Sequence, residues 1–200
     1  MTTFTVAVTV FGGEHFLPHA LETVFAQAHP TLEVVVYSDG PSPSAAEIVR
    51  GLPADLPVGY RALDRRPGLH GNHLRRQALE DARGTHVCFL GHDCLLYPTY
   101  LEAHAEALAG DDEGVSVVPV AYWRQTRRDA GQPRRSDMLG LGEGEIDLLC
   151  IAFPRAAALA ADCFGPAMQP WRCADYLSFD RLRRRSAPRF VPGPDRAAHF

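Results

Sequence analysis

The chain has no lysine: all 20 of its basic residues are arginine. That absence removes a P-loop lysine, a Schiff-base lysine and a catalytic lysine pair from the chemistry open to it. Arginine suits bidentate contacts to phosphate and carboxylate, so anion binding stays open. The five cysteines (Cys88, Cys94, Cys150, Cys163 and Cys173) are odd in number and scattered, with no C-x-x-C spacing. Structural disulfides and a structural zinc are therefore not expected, and a reduced, cytoplasmic setting is. No apolar stretch approaches the length of a transmembrane helix. The opening MTTFTVAVTVFGG carries no basic lead and reads as a strand, not a signal peptide. A net charge of −4 leaves no electrostatic footprint for nucleic acid.

What remains is enough for one domain with a sizeable core, since 46% of the 200 residues are hydrophobic. Phe4 to Phe11 is a continuous apolar run closed by Gly12-Gly13. Residues 15–28 follow with helical periodicity, Phe16, Ala20, Val24 and Ala28 recurring at i+4. Leu32 to Ser38 is a second apolar strand, stopped by Asp39-Gly40-Pro41. A short helix is expected around 43–51, a third strand at Val58 to Leu63 and a polar helix over 71–83. The strand 85–90 then leads into Gly91-His92-Asp93, and Pro98 opens a helix through Leu108. Strands alternating with helices at this spacing predict an α/β fold with a mostly parallel central sheet flanked by helices.

The second half is less regular. Val115 to Tyr122 reads as one strand, and residues 124–145, rich in Arg and Gly, as a long loop, a type that is either a functional lid or disordered. Ile146 to Ala161 is apolar, Cys173 to Arg185 reads as a helix, and Arg189-Phe190-Val191 as a short last strand.

Three constellations carry chemistry. The first is the set of strand ends at Phe11-Gly12-Gly13, Ser38-Asp39-Gly40 and Gly91-His92-Asp93. In a parallel sheet these lie along one edge, where ligands bind. Two carboxylates and close-approach glycines there suit a nucleotide, although Asp39-Gly40 is equally ordinary turn chemistry. The second is Gly68 to Arg76, which gathers His70, His73, Arg75 and Arg76 at a helix start. Free N–H groups and the dipole favour an anion such as a diphosphate there, unless these are simply solvated polar residues. The third is Asp175, which shares a helical face with Phe179 and Leu182 and is either a buried cap or a general base. Asp180 is expected to pair with Arg184 at i+4 on the surface.

Together these pieces resemble the inverting family 2 glycosyltransferases of the GT-A fold. VAVTVFGGEHFLPHALETVFAQ (residues 6–27) looks like that family's opening strand and helix. LEVVVYSDGPSPS (32–44) is similar to its strand and Asp-Asp-Gly-Ser turn, with Ser38 in place of the first Asp. ALEDARGTHVCFLGHD (78–93) matches the helix and strand leading into D-x-D, and CLLYPTYL (94–101) continues it. The resemblance covers residues 4–110 well and 173–200 weakly.

The resemblance implies a Rossmann-like GT-A domain over 1–200, with 1–97 binding the nucleotide-sugar and 98–200 the acceptor. It implies that Asp39 contacts the base or ribose, that Arg75 and Arg76 meet the diphosphate, and that Thr9, Phe11 and His92 belong to the same nucleotide-sugar site. It places Asp93 on a divalent cation (Mn²⁺ or Mg²⁺), joined by His199 near the C-terminus. Asp175 takes the place of the catalytic base, with Ala174 where the family carries glutamate. The expected donor is a nucleotide-diphospho-sugar, a UDP-sugar first, and the acceptor an unidentified hydroxyl. Gly91 replaces the first acid of D-x-D, leaving one carboxylate for the ion. That loss raises an alternative, a catalytically inactive nucleotide- or sugar-binding module on the same fold. A third reading is a zinc hydrolase built from His70, His73, His92 and Asp93.

Overall fold

The computed structural model describes residues 2–124, 134–138, 142 and 146–199. The first half alternates strictly: β1 (Phe4–Val10), α1 (Leu17–Phe25), β2 (Glu33–Ser38), α2 (Pro43–Arg50), β3 (Val58–Ala62), α3 (Asn72–Asp81) and β4 (His86–Gly91). β1 lies between β2 and β4, both parallel to it, with Ala7 opposite Val35 and Phe89. Strands covered on both faces must be apolar throughout, which is why Val6, Val8, Val34, Val36, Val87 and Leu90 are all buried. α1 covers the sheet with Leu17, Ala20, Leu21 and Val24. α2 starts on Ser42, whose hydroxyl accepts from the Ala45 N–H (3.3 Å), with Pro43 pre-set for the first turn.

One buried acid ties this half together. Thr5 Oγ1 donates to Glu33 Oε1 (2.8 Å), and the N–H and Nε of Arg83 donate to the two Glu33 oxygens, each at 2.6 Å. Burial pushes the Glu33 pKa up, but these donors and the Arg83 charge outweigh it and hold the carboxyl below its ordinary value. Gly84, next in the turn, sits against the first strand: a Cβ there would lie 2.7 Å from the Thr5 nitrogen and 2.9 Å from the Thr3 carbonyl oxygen.

The second half completes two sheets. It runs β5 (Cys94–Leu96), α4 (Tyr100–Ala107), β6 (Ser116–Val117), β7 (Val120–Arg124), β8 (Arg134–Met138), β9 (Ile151–Pro154), α5 (Arg155–Ala160), α6 (Ala174–Arg183), β10 (Arg189–Phe190) and β11 (Ala197–His199). The larger sheet has the order β10-β6-β9-β4-β1-β2-β3, and β9 alone within it runs antiparallel to its neighbours. The smaller sheet is β5-β11-β7-β8. No helix among the described residues is long and apolar enough to cross a membrane.

The second half departs from expectation in three places. The single strand expected over Val115 to Tyr122 breaks at Pro119, which has no N–H for a ladder, and its pieces β6 and β7 join different sheets. Part of the expected loop 124–145 is β8, paired antiparallel with β7 so that Tyr122 faces Ser136. The remainder of that expected loop, apart from Arg124 and Gly142, lies outside the described residues. The segment at Arg189 to Val191 is not the last strand, because β11 follows it.

Candidate functional site

The carboxyl ends of β1, β2 and β4 open into a cavity of about 460 Å³. Both halves of the chain line it. Thr9, Phe11, Asp39, His70, Arg75, His92 and Asp93 come from the first, and Asp147, Asp175 and His199 from the second.

Asp39 follows the end of β2 and is only 1% exposed. Its backbone is satisfied: the N–H donates to Val10 O (3.2 Å) and the carbonyl accepts from Arg66 Nε (2.9 Å). Its carboxylate is not. His73 Nε2 approaches Oδ1 to 3.2 Å, but off the N–H direction, and neither oxygen has a hydrogen-bond partner among the described residues. Burial lowers the His73 pKa against the pull of Asp39. A buried acceptor without a donor is costly, so Asp39 is equipped to receive a ligand N–H or O–H. Phe11, 60% exposed, stands at the mouth with the Arg66 guanidinium 4.7 Å from its ring centroid. Thr9 acts through its backbone: its carbonyl accepts from the His92 N–H at 3.1 Å, with His92 Nδ1 3.3 Å away.

The segment before α3 turns through Gly68, His70 and Gly71, all with positive φ, so His70 holds a left-handed conformation at the cavity wall. Arg75 Nη1 donates back to His70 O (2.8 Å) and to Asn72 Oδ1 (2.6 Å), while its buried Nε has no partner among the described residues. Burial lowers the Arg75 pKa, and the charges of Asp175 and Asp147 oppose that. The structure separates the two arginines that were expected to share a diphosphate. Consecutive helical residues point in different directions. Arg76 is held by Glu80 (2.7 Å) and Asp162 (3.2 Å), outside the cavity lining.

Asp93 follows β4, and β5 begins at once with Cys94. β11 pairs antiparallel with β5 so that His199 faces Cys94, and parallel with β7 so that it faces Tyr122. That register brings a carboxylate, a thiol and an imidazole together, with donor atoms of Asp93, Cys94 and His199 all within 4.8 Å of one another. His199 Nε2 is 4.0 Å from Asp93 Oδ2, and Nδ1 is 4.0 Å from Asp147 Oδ2. Burial, with Asp93 and Asp147 nearby, raises the Cys94 thiol well above its usual range. Asp93 and His199 offer an oxygen and an imidazole nitrogen, donors that fit a divalent cation with positions left for phosphate. An acid at Gly91, where a full D-x-D would carry one, would require the Asp93 and Cys94 side chains to move. A Cβ there would lie 2.7 Å from Asp93 Oδ1 and 3.0 Å from Cys94 Sγ.

Asp175 stands in the first turn of α6, its Oδ1 accepting from the Tyr176 N–H (2.8 Å). Burial pushes its pKa up and Asp147 adds to this, against the Tyr176 N–H and Arg75. A carboxylate so raised is a better proton acceptor than a solvated one. Asp180, by contrast, pairs with Arg184 at 2.8 Å on the surface as expected.

The zinc set His70, His73, His92 and Asp93 is not assembled: His73 sits on Asp39, His92 on Thr9, and Asp93 groups instead with Cys94 and His199. Sequence reasoning missed Asp147, Cys94 and Arg66. Asp147 had a signal, being the lone acid in the apolar run from Ile146 to Phe153. Cys94 and Arg66 acquire their positions only through strand pairing and turn geometry.

The family model described as Glycosyl transferase family 2 matches residues 5–157. No curated protein matches the chain. Among solved structures it is similar to S. aureus TarS 1-349, with a TM-score of 0.79 at 17% identity over 99% of this chain and 60% of that one. A second structure of S. aureus TarS gives 0.77 at 18% identity over 99% and 36%. TarS 1-349 in complex with UDP-GlcNAc gives 0.75 at 17% over 98% and 58%. The chain thus spans 60% or less of these proteins, and at such identities the likeness shows a shared GT-A fold.

Proposed function

The chain belongs to glycosyl transferase family 2, and on that premise we propose that it moves a sugar from a nucleotide-diphospho-sugar, a UDP-sugar first, to an acceptor hydroxyl with inversion. The observation that carries the reading is the cavity itself. Among the described residues it joins a buried carboxylate without a hydrogen-bond donor (Asp39), a buried arginine whose Nε has no partner (Arg75), an Asp93–His199 pair and a pKa-raised Asp175. The complex of a fold relative with UDP-GlcNAc supports a UDP-sugar as the first donor to try.

In this reading Asp39 accepts a hydrogen bond from the base or ribose, and Phe11 offers its exposed ring beside it. Arg75 meets the diphosphate from a pocket where low dielectric strengthens the contact. Asp93 and His199 would hold a divalent ion, with the imidazole favouring Mn²⁺ over Mg²⁺. When bound, that ion supplies charge stabilisation to the departing diphosphate. Asp175 takes the proton from the acceptor hydroxyl as it attacks the anomeric carbon in line, and one displacement inverts the configuration. Asp147 keeps Asp175 basic by adding a second negative charge nearby.

Gly91 favours a second reading, a binding module without turnover, because one carboxylate rather than two faces the ion. Thermal-shift screening against nucleoside diphosphates and their sugars, with and without Mn²⁺, tests the binding half common to both. The expected result is stabilisation by UDP and a UDP-sugar that Mn²⁺ increases. No stabilisation by any nucleotide would overturn it. Release of nucleoside diphosphate from the stabilising donor separates transferase from binder.

A further inference from the structure

We propose that Asp147 is a positioning residue for His199: its carboxylate keeps the imidazole in the Nδ1–H tautomer, leaving Nε2 as the lone-pair donor aimed at the Asp93 ion site. The inference rests on the ion site of the proposed function and adds a residue to it. His199 is held on three sides. Tyr122 packs on its ring with centroids 4.4 Å apart, Asp93 faces Nε2, and Asp147 faces Nδ1. Its buried Nδ1 has no hydrogen-bond partner among the described residues.

Asp147 is itself fixed. It caps the short 3-10 turn Leu148–Cys150, with Oδ1 accepting from the Leu149 N–H at 2.8 Å. That leaves Oδ2, 4.0 Å from His199 Nδ1, so a movement of about 1 Å closes a hydrogen bond. A neutral imidazole has one N–H, and the nitrogen that faces the stronger acceptor carries it. The buried Nδ1 faces Asp147 and Nε2 faces the ion site beside Asp93, so a proton held on Nδ1 by Asp147 leaves Nε2 free for the ion. A carboxylate behind a ligating histidine fixes its orientation and raises its basicity, which matters most where the motif has lost an acid at Gly91.

Asp147→Asn tests this without removing the cap, because asparagine caps as well as aspartate. Its amide N–H₂ would turn toward Nδ1 and favour the wrong tautomer. In the presence of UDP, Mn²⁺ affinity measured by titration calorimetry is expected to fall about 10- to 100-fold. Asp147→Glu, which keeps the charge, should retain more Mn²⁺ affinity than Asp147→Asn. ¹⁵N NMR of the metal-free protein at pH 8 should show His199 as Nδ1–H in the wild type and Nε2–H in Asp147→Asn. Unchanged Mn²⁺ affinity, or a tautomer indifferent to the substitution, overturns the role of Asp147. A wild-type protein that takes up no Mn²⁺ beside UDP overturns the ion site itself, and the tautomer shift distinguishes that failure from the other.

Discussion

Replacing Asp39 with asparagine should weaken nucleotide binding while leaving the free protein as stable as before. Both carboxylate oxygens are buried and receive no hydrogen bond from the described residues, and burial lowers the pKa of His73, whose Nε2 lies 3.2 Å from Oδ1, so the substitution costs the free protein little. The backbone bonds to Val10 and Arg66 do not involve the side chain and survive. In the complex the charge counts. A hydrogen bond to an ionised group contributes about 1.5–3 kcal/mol, which corresponds to roughly 10- to 150-fold in Kd. Asparagine keeps one acceptor oxygen, which places the expected loss toward the lower end of that range. UDP titration by calorimetry reads the affinity, and thermal unfolding without nucleotide reads the stability. UDP bound as tightly by Asp39→Asn as by the wild type would refute the argument, because a buried carboxylate without donors would then have no ligand to explain it.

Three further outcomes follow from the same geometry. Asp175 has a raised pKa, so the native state holds its proton to higher pH than the unfolded chain. Stability therefore falls as pH rises through the folded value, and Asp175→Asn should raise the melting temperature at neutral pH, with the gain vanishing below pH 3.8. Glu33 has the opposite sign: its lowered pKa makes its stabilisation complete above pH 4.5 and lost as pH falls through the folded value. Glu33→Gln should cost about 1–3 kcal/mol in urea unfolding at pH 7 and flatten the acid limb; an unchanged limb would count against the network. Gly84→Ala drives a Cβ into the Thr5 and Thr3 backbone and should cost about 1–3 kcal/mol, whereas neutral unfolding would show that the first strand yields there.

The central sheet was legible because its physics is local. β1, β2 and β4 are covered on both faces, so each is a continuous apolar run, and a parallel arrangement puts their ends on one edge. Asp39 and Asp93 could be placed there from sequence. Three features were not legible, because no local sequence pattern encodes them. β11 is three residues, Ala-Ala-His, with no pattern of its own, and becomes a strand only by pairing with Cys94–Leu96 and with β7. β8 is polar and Arg-rich, and is held by the register with β7. Arg75 and Arg76 looked equivalent in sequence, yet helix geometry turns one into the cavity and the other toward Glu80 and Asp162. Asp147, hidden in an apolar run, entered the site because its cap aims one oxygen at His199.

The central claim is that Asp175 acts as the base in sugar transfer from a nucleotide-sugar. Its most direct measurement is release of nucleoside diphosphate from the donor that stabilises the protein, with Mn²⁺ and either water or an alcohol as acceptor. Wild-type protein and Asp175→Asn are compared at equal donor occupancy. The account predicts turnover by the wild type and a loss of about 10²- to 10⁴-fold in Asp175→Asn, with donor affinity unchanged. Equal turnover by both proteins would contradict it.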